Sequence, residues 1–206
     1  MFTTIGDLNA RITDLVSNGS FAEIKENVIT SDEPEYAYFI RNVDLKSTSY
    51  NKYVPKTTYD YLLKSSLFGG ELLFANVADI GSVHRCPVLE KPMTLGNNLI
   101  LFDSPKDCYY NYYLDNYFNS EEGQHVLDSI TIGSVQKKIS KTNFKKAELI
   151  LPLAEQLDDF NKMVHPFYKL KDKLFNLNKK LESLRDTMLP KLMSGEIDVS
   201  QLDLGD

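Results

Sequence analysis

A heptad repeat of apolar residues in the last quarter of the chain constrains its fold more than any other feature. Two series, offset by three positions, recur every seven residues; their members are Phe160, Phe167, Leu174, Leu181 and Met188, and Met163, Leu170, Leu177 and Leu184. This a/d pattern predicts one long helix with a narrow apolar seam. Pro166 is expected to interrupt that helix. The continuous part is therefore predicted from Phe167 to Met193, which corresponds to roughly 40 Å.

The apolar seam needs a partner, because a single helix of this kind is not stable alone in water. Two partners are open: the rest of the same chain, or another helix. The narrow, strictly heptad stripe favours helix–helix pairing, since a helix that faces a core usually has a broader apolar face. One chain supplies only one such helix, so a homodimer is the simplest assembly.

The first 151 residues have a different character, with 11 of the 12 tyrosines and several short apolar runs between turn signals. Four strands and two helices are predicted, the strands within Tyr36–Val43, Glu71–Val77, Leu99–Phe102 and Ala147–Leu151, the helices at Thr57–Ser66 and around Tyr109–Leu127. Mixed elements of this kind predict an α/β (mixed α+β) globular domain at 1–151. The long helix at 152–193 and a polar tail at 194–206 follow it.

Composition excludes several classes of protein. With 42% hydrophobic residues and a net charge of −6, the 206-residue chain is typical of a folded, water-soluble protein. No apolar run is long enough to cross a membrane, and no signal peptide is recognisable, which predicts a cytoplasmic location without membrane contact. Cys86 and Cys108 form no CxxC pair, so neither a disulfide framework nor a cysteine zinc site is predicted.

A lysine-rich segment stands out on this acidic chain. The window 137–146 holds five lysines and no acidic residue; they are Lys137, Lys138, Lys141, Lys145 and Lys146. Such a stripe is either an ordinary solvated surface or a set of phosphate contacts for a nucleic acid. Charge alone leaves both interpretations open.

No catalytic constellation is evident, and no metal site or cofactor is predicted. The three histidines are isolated in sequence, and nucleotide-binding and hydrolase motifs are missing. Asp14 followed by Glu23-Ile24-Lys25 imitates the ligand spacing of a Mg²⁺-dependent nuclease, which stays a minor alternative because a turn at 18–20 separates the two parts. The tyrosines within Tyr109–Tyr117 suggest a packing surface before they suggest base stacking.

Two segments, 133–156 and 181–197, give the chain a recognisable resemblance. Residues 133–140 (GSVQKKIS), then 152–156 (PLAEQ) and 181–197 (LESLRDTMLPKLMSGEI), resemble the specificity subunit of type I restriction–modification systems. Shorter pieces agree, at 6–8 (GDL), 18–21 (NGSF), 70–75 (GELLFA) and 97–99 (NNL). The resemblance implies a target recognition domain that binds one half of a bipartite DNA sequence, and a spacer helix that pairs antiparallel with a second one. It also implies methylation (M) and restriction (R) subunits as partners, and no catalytic chemistry in this chain.

The chain differs from that family in length, because a full specificity subunit carries two recognition domains and two spacer helices. Either this is a half subunit that completes the arrangement as a homodimer, or it is a fragment of a longer product. The heptad repeat supports the first alternative. Two identical domains would bind a palindromic bipartite target, with half-sites roughly 10–12 base pairs apart.

DNA contacts are predicted in three places. Phosphate contacts are expected from the five lysines of 137–146, helped by Lys46, Lys52 and Arg85. Base contacts are expected from the polar loop after Val43, through Ser47, Thr48, Tyr50, Asn51 and Tyr53. Gln136 is a further candidate, although its place in a motif shared within the family suggests a backbone or structural role. The bases themselves are not predicted. A coiled-coil interaction protein without DNA affinity is the alternative function.

Overall fold

The computed structural model describes residues 2–105, 109–134 and 136–197. It confirms the mixed α/β arrangement followed by a long helix. The strands are β1 (Phe2–Thr4), β2 (Arg11–Asp14), β3 (Ala37–Ile40), β4 (Tyr53–Val54), β5 (Ser66–Leu67), β6 (Leu72–Ala75), β7 (Val83–Arg85), β8 (Met93–Leu95), β9 (Leu99–Asp103) and β10 (Glu148–Ile150). The α-helices are α1 (Phe21–Asn27), α2 (Asn42–Ser47), α3 (Lys56–Tyr61), α4 (Asn111–Phe118), α5 (Glu121–Ser129), α6 (Lys141–Lys145) and α7 (Ala154–Met193).

The chain forms two compact units, Met1–Val164 and His165–Asp206. The described residues of the first unit form three sheets. The central sheet has the order β2-β9-β6-β7 and is antiparallel throughout. The outer sheet has the order β4-β3-β8-β5, with β3 and β8 parallel. A two-stranded terminal ribbon pairs β1 with β10. The domain boundary at residue 151 stays a prediction.

The central sheet is buried on both faces. Successive side chains of each strand point to opposite faces, so each strand contributes to two hydrophobic clusters. Leu72 and Phe74 point to one cluster, which they share with α4 and α5. Leu73 and Ala75 point to a second cluster, which they share with the outer sheet. This double burial explains why the runs around β6 and β9 are almost continuously apolar instead of alternating with polar residues.

A fourth layer covers the far face of the outer sheet. Ala37 and Phe39 of β3 pack against Ile24 of α1 and Leu62, which directly follows α3. The alternate residues of β3 face the central sheet. The first unit is therefore built from helices, the central sheet, the outer sheet and helices, in that order.

Two helices replace the single one expected around Tyr109–Leu127. α4 ends at Phe118 and α5 begins at Glu121, with the Ser120 hydroxyl accepting a hydrogen bond from the Gly123 amide at 3.3 Å. Gly123 is buried, and a Cβ atom at this position would overlap the carbonyl oxygen of Tyr117. The chain turns here because glycine permits this close approach between the two helices.

The segment after Val43, predicted as a polar loop, begins as a helix. α2 extends to Ser47, so Lys46 and Ser47 are helical and the loop starts at Thr48. The cause is a cap at the start of α2: the Asp44 carboxylate accepts hydrogen bonds from the Arg41 backbone amide at 2.9 Å and from its guanidinium group at 2.6 and 2.9 Å.

The predicted interruption at Pro166 is wrong. α7 is one helix of 40 residues that contains both Pro166 and Pro190, about 60 Å long. A proline removes a single backbone hydrogen bond, and the turns on either side keep theirs, so the helix continues past it. Among the described residues, no helix combines the length and apolarity that a membrane span requires.

Candidate nucleic-acid interface

Four connecting segments meet at one edge of the two larger sheets. The parallel strands β3 and β8 both end there, at Ile40 and Leu95. β6 also ends there, opposite the start of its antiparallel neighbour β9. We call this surface the loop edge; it comprises residues 41–51, 76–82, 96–98, and 132–134 with 136–138. The strand directions bring the first three of these segments together, and β-bridges of Lys138 add the fourth.

Backbone hydrogen bonds join the segments of the loop edge. The Asn76 amide donates to the Asn98 carbonyl oxygen at 3.0 Å, and the Asn76 carbonyl oxygen accepts from the Ile139 amide at 2.9 Å. The Gly96 amide donates to the Ile40 carbonyl oxygen at 2.7 Å. Lys138 forms β-bridges with Ile132 and Val77. The turn at 96–98 is thus fixed to both sheets.

An acidic side chain connects α2 to the segment 76–82. Asp79 Oδ2 accepts hydrogen bonds from Asn42 Nδ2 at 2.7 Å and from Lys46 Nζ at 3.1 Å. These donors, the Asn42 amide first, lower the pKa of Asp79 below its ordinary 3.8. The ion pair is solvent-exposed and therefore weak, so another anion can take the place of the Asp79 carboxylate beside Lys46.

Unusual backbone conformations concentrate at the loop edge. Four non-glycine residues have a positive φ among those described, and three lie here: Thr48 at 55°, Ala78 at 65° and Asn98 at 63°. Such left-handed conformations cost about 1 kcal/mol or more, and a β-branched residue such as Thr48 adopts them rarely. Strained residues of this kind cluster at functional sites.

Most of the predicted DNA-contacting residues lie on the loop edge. The set comes from two regions that are far apart in sequence; its members are Lys46, Ser47, Thr48, Tyr50, Asn51, Gln136, Lys137 and Lys138. All but Tyr50 are exposed. The folded chain therefore places polar and basic side chains from both predicted regions on one surface.

The basic residues differ in how far their charge is compensated. Lys46 pairs with Asp79, and Lys52 pairs with Asp32 at 2.8 Å. For Lys137, Lys138, Lys145 and Lys146, the described part of the chain contains no ion-pair partner, and all four are exposed. Their charge is available to an external anion.

Several nominated residues lie outside the loop edge. Arg85 of β7 is the register partner of Leu72, the first residue of β6. It therefore lies at the edge of the central sheet that is opposite to the loop edge. Lys145 ends α6, and Lys146 lines a cavity of about 400 Å³ beside Phe2 and Ile150 of the terminal ribbon. The lysine-rich window is thus distributed over more than one surface.

The tyrosines nominated in the 43–53 segment contact other aromatic rings. The Tyr53 and Tyr50 ring centroids lie 5.0 and 6.5 Å from that of Tyr38. Burial raises the pKa of Tyr50 above its ordinary value. Lys91 Nζ lies 5.2 Å from the Tyr53 ring centroid. The rings support the outer sheet behind the loop edge.

Sequence reasoning nominated Asn51 but not Asn42, Asn97 or Asn98 of the loop edge. Asn97 and Asn98 are exposed on the turn between β8 and β9, and Asn42 lies at the start of α2. The Gly96-Asn97-Asn98 signal was sufficient to predict a turn, but it gave no reason to connect that turn to the 43–53 segment. Only the parallel pairing of β3 and β8 provides the connection.

The carboxylates of the nuclease alternative are occupied by structural contacts. Glu23 caps α1, where its Oε2 accepts from the Ser20 amide at 2.7 Å. Asp14 accepts from Lys141 Nζ at 3.0 Å and from the Ser17 hydroxyl at 2.6 Å. Within the described ranges, no group of three histidine, cysteine or acidic side chains is placed to hold a metal ion.

The tyrosine cluster on α4 is part of a packed surface. Tyr112 is buried, and the Tyr113 and Tyr117 rings stack with their centroids 5.9 Å apart. Tyr113 also contacts Phe160 of α7 edge-on, at 6.3 Å between centroids. Phe160 therefore already has an aromatic neighbour within its own chain.

The remaining seam of α7 is exposed in the single chain. Its side chains are 38–69% exposed; they are Met163, Phe167, Leu170, Leu174, Leu177, Leu181, Leu184 and Met188. By contrast, Leu157, in the first turn of the same helix, is 3% exposed. A continuous apolar stripe of this length requires a partner surface.

Comparison with known proteins gives a structural match without a sequence match. No family model matches the chain, and no curated protein is detectably similar to it in sequence. The crystal structure of a type I restriction–modification S subunit from M. genitalium matches 94% of this chain, with a TM-score of 0.55 and 14% identity. A structure reported for complex assembly and conformational transition of the type I R-M system matches 93%, with a TM-score of 0.51 and 15% identity.

The chain has the specificity-subunit fold. It spans less than half of the two matched chains, 46% and 45% respectively. The described residues of the present chain contain one globular α/β unit and one long helix. The likeness extends over 94% and 93% of the chain, at only 14% and 15% identity.

Proposed function

We propose that this chain is a DNA sequence-specificity component of a type I restriction–modification system. The observation that carries the proposal is the match of 94% of the chain to an S subunit. The uncompensated lysines and the exposed amides of the loop edge support it, because phosphate contacts and base-edge contacts need those groups. Nothing in the proposal requires a catalytic residue in the chain itself.

The second part of the proposal is a homodimer through α7. The exposed heptad seam supports antiparallel pairing with a second copy, which buries both stripes. The helix from His165 to Met193 is about 43 Å long, which exceeds one turn of B-DNA. Two identical recognition domains held this far apart would bind a palindromic bipartite sequence, with half-sites roughly 10–12 base pairs apart and an unread spacer between them.

The third part concerns partners. A specificity component needs methylation and restriction subunits to supply chemistry, so we expect the complex, and not this chain alone, to modify DNA. The chain needs no cofactor for this role. Since its target is the DNA of the cell, it acts in the cytoplasm.

Selection from a pool of randomised duplexes tests the proposal. The purified chain, with and without a cognate methylation subunit, is expected to enrich two inverted identical half-sites, and its affinity should fall steeply with salt. Recovery of no sequence, or of two different half-sites, would contradict the proposal as stated. The same pool incubated with methyl donor should stay unmethylated without the methylation subunit.

Charge-reversing substitutions distinguish the proposed function from the alternative, a coiled-coil interaction protein without DNA affinity. In the proposed function, changing Lys137 and Lys138 to glutamate weakens DNA binding strongly and leaves dimerisation intact. In the alternative, that pair of changes alters nothing measurable. Lys25→Glu on α1, also exposed but on the far layer of the first unit, is the matched control.

A further inference from the structure

We propose that the cavity beside the terminal ribbon receives residues 198–206 of a second copy of this chain, with Leu202 and Leu204 as the anchoring side chains. The inference rests on the homodimer of the proposed function and adds to it a second contact, separate from the helix pairing. The segment 198–206 has the sequence DVSQLDLGD and lies outside the described residues.

The cavity presents apolar side chains that the single chain leaves uncovered. Its volume is about 400 Å³, within the range of cavities that bind ligands. Phe2 and Ile150 of the terminal ribbon line it and are 80% and 53% exposed. Val126 and Ile130 also line it and are only partly buried. Apolar surface that stays open in this way is typical of a docking site.

A positive charge borders this apolar surface. Lys146 and Glu148 both line the cavity and are exposed. Within the described ranges, Lys146 has no ion-pair partner, so its ammonium group is available to an acidic side chain of the occupant. A segment that combines leucines with aspartates is complementary to this combination of groups.

Antiparallel pairing of α7 brings the end of one helix to the cavity of the other copy. When the seam pairs over its full length, Met188 lies opposite Met163, and Met193 at the end of the helix lies opposite Asp158. The chain between Asp158 and Ile150, which lines the cavity, spans at most about 20 Å. Residues 198–206 span about 30 Å when extended, so they can reach the cavity.

The order of residues in this segment suits an extended conformation along the cavity. In such a conformation Leu202, Leu204 and Asp206 point to one side, and Asp203 points to the other. The two leucines would then fill the apolar cavity while Asp206 pairs with Lys146. The described part of the terminal ribbon has only two strands, so an extended segment can also bond to its edge.

Disulfide formation between two variants tests which chain occupies the cavity. Chains with Leu204→Cys are mixed with chains with Ser129→Cys, because Ser129 lines the cavity and is exposed. On oxidation we expect a covalent dimer. The matched control replaces the second partner by Asn27→Cys, an exposed position on α1, and should give only the background of the wild-type chain.

The dissociation constant of the dimer tests the anchoring role of the leucines. Leu202→Asn combined with Leu204→Asn should weaken the dimer by at least about tenfold, because the apolar surface that docking buries is lost. Asp203→Asn, on the other side of the extended segment, should leave the dissociation constant unchanged. Sedimentation over a concentration series measures both, and the α7 seam is intact in each variant.

Three results would overturn the inference while the homodimer and the DNA selection of the wild-type chain stand. These are the absence of the covalent dimer, an unchanged dissociation constant for the leucine variant, and a disulfide that closes within one chain carrying both Leu204→Cys and Ser129→Cys. If the leucine variant loses a methylation subunit but dimerises normally, the cavity belongs to that subunit and the inference is also overturned. A monomeric wild-type chain removes the proposed homodimer, and this inference with it.

Discussion

The ammonium group of Lys141 lies 3.0 Å from Asp14 Oδ1 and 2.6 Å from the Ser17 hydroxyl. These contacts join the start of α6 to the end of β2, and they are partly shielded from solvent. One of the five lysines predicted to contact phosphates is therefore already paired within the fold. Its role and that of its neighbours can be separated experimentally.

Replacement of Lys141 by methionine is expected to lower the free energy of unfolding by about 1 kcal/mol, because Asp14 loses a charge-assisted hydrogen bond. Lys145→Met, an exposed lysine of the same helix without a described ion pair, should stay within about 0.5 kcal/mol of the wild type. Urea unfolding measures both values. Equal stabilities of the two variants would show that the Lys141 contacts are not maintained in solution.

Neutralisation of Lys137 and Lys138 to glutamine is expected to weaken DNA binding for every sequence alike. Each phosphate contact that is lost should reduce the slope of log affinity against log salt by about 0.9. Titrations at several salt concentrations give this slope. The stability of the variant should match the wild type, since both side chains are exposed; an unaltered slope would place the phosphate contacts elsewhere.

A charge in the middle of the α7 seam should prevent self-association. Leu177→Glu places a carboxylate on the apolar stripe, where pairing would bury it at a cost of several kcal/mol. Asn176→Glu adds the same charge one residue away, off the stripe. Sedimentation at micromolar concentration should give a monomer for the first variant and a dimer for the second. A wild-type monomer would contradict the homodimer itself.

Substitution of Gly123 by alanine is expected to destabilise the first unit by several kcal/mol. The added methyl group would overlap the backbone at Tyr117 and Phe118, which is rigid and cannot move away as a flexible side chain would. Ser129→Ala, at the exposed end of the same helix, serves as the control. Thermal unfolding should give a clearly lower midpoint for the Gly123 variant than for the Ser129 variant. Similar midpoints would show that α4 and α5 can move apart at little cost.

Asp79 makes the stability of the folded chain depend on pH. Because the pKa of this carboxyl group is lowered in the folded chain, its contribution to stability is present above the ordinary value of 3.8 and is lost as the pH falls through the folded-state pKa. An NMR titration should show a midpoint below 3.8, and Asn42→Ala should raise it, since the Asn42 amide is the largest cause of the shift. An unchanged midpoint in that variant would contradict the contact.

Local sequence signals predicted the strands and helices well where the pattern of apolar residues was clear. The apolar runs around β3, β6, β9 and β10 are strands, as short apolar runs between turn signals predict. The heptad seam likewise indicated α7. The helix predicted at Thr57–Ser66 is instead α3, a short 3-10 helix at Leu63–Ser65, and the start of β5. Burial in the outer sheet overrides helix propensity at Ser66.

The loop edge could not be predicted from the sequence, because it depends on strand order. The segments carrying Thr48 and Asn98 meet because β3 and β8 are parallel while β6 and β9 are antiparallel, and the distant segment of Lys138 joins them through its bridge to Val77. Charge counting also failed to distinguish Lys141 from Lys137. Their difference comes from Asp14, more than 120 residues earlier in the chain.

The segments of the loop edge are attached to one another largely through main-chain atoms, at Ile40, Asn76, Gly96 and Asn98. Main-chain hydrogen bonds do not depend on the identity of the side chains at the surface. In the proposed function, a few surface substitutions could therefore give such a protein a new cognate site while the sheets underneath stay as they are, so that the evolution of binding preference would be uncoupled from the maintenance of the fold.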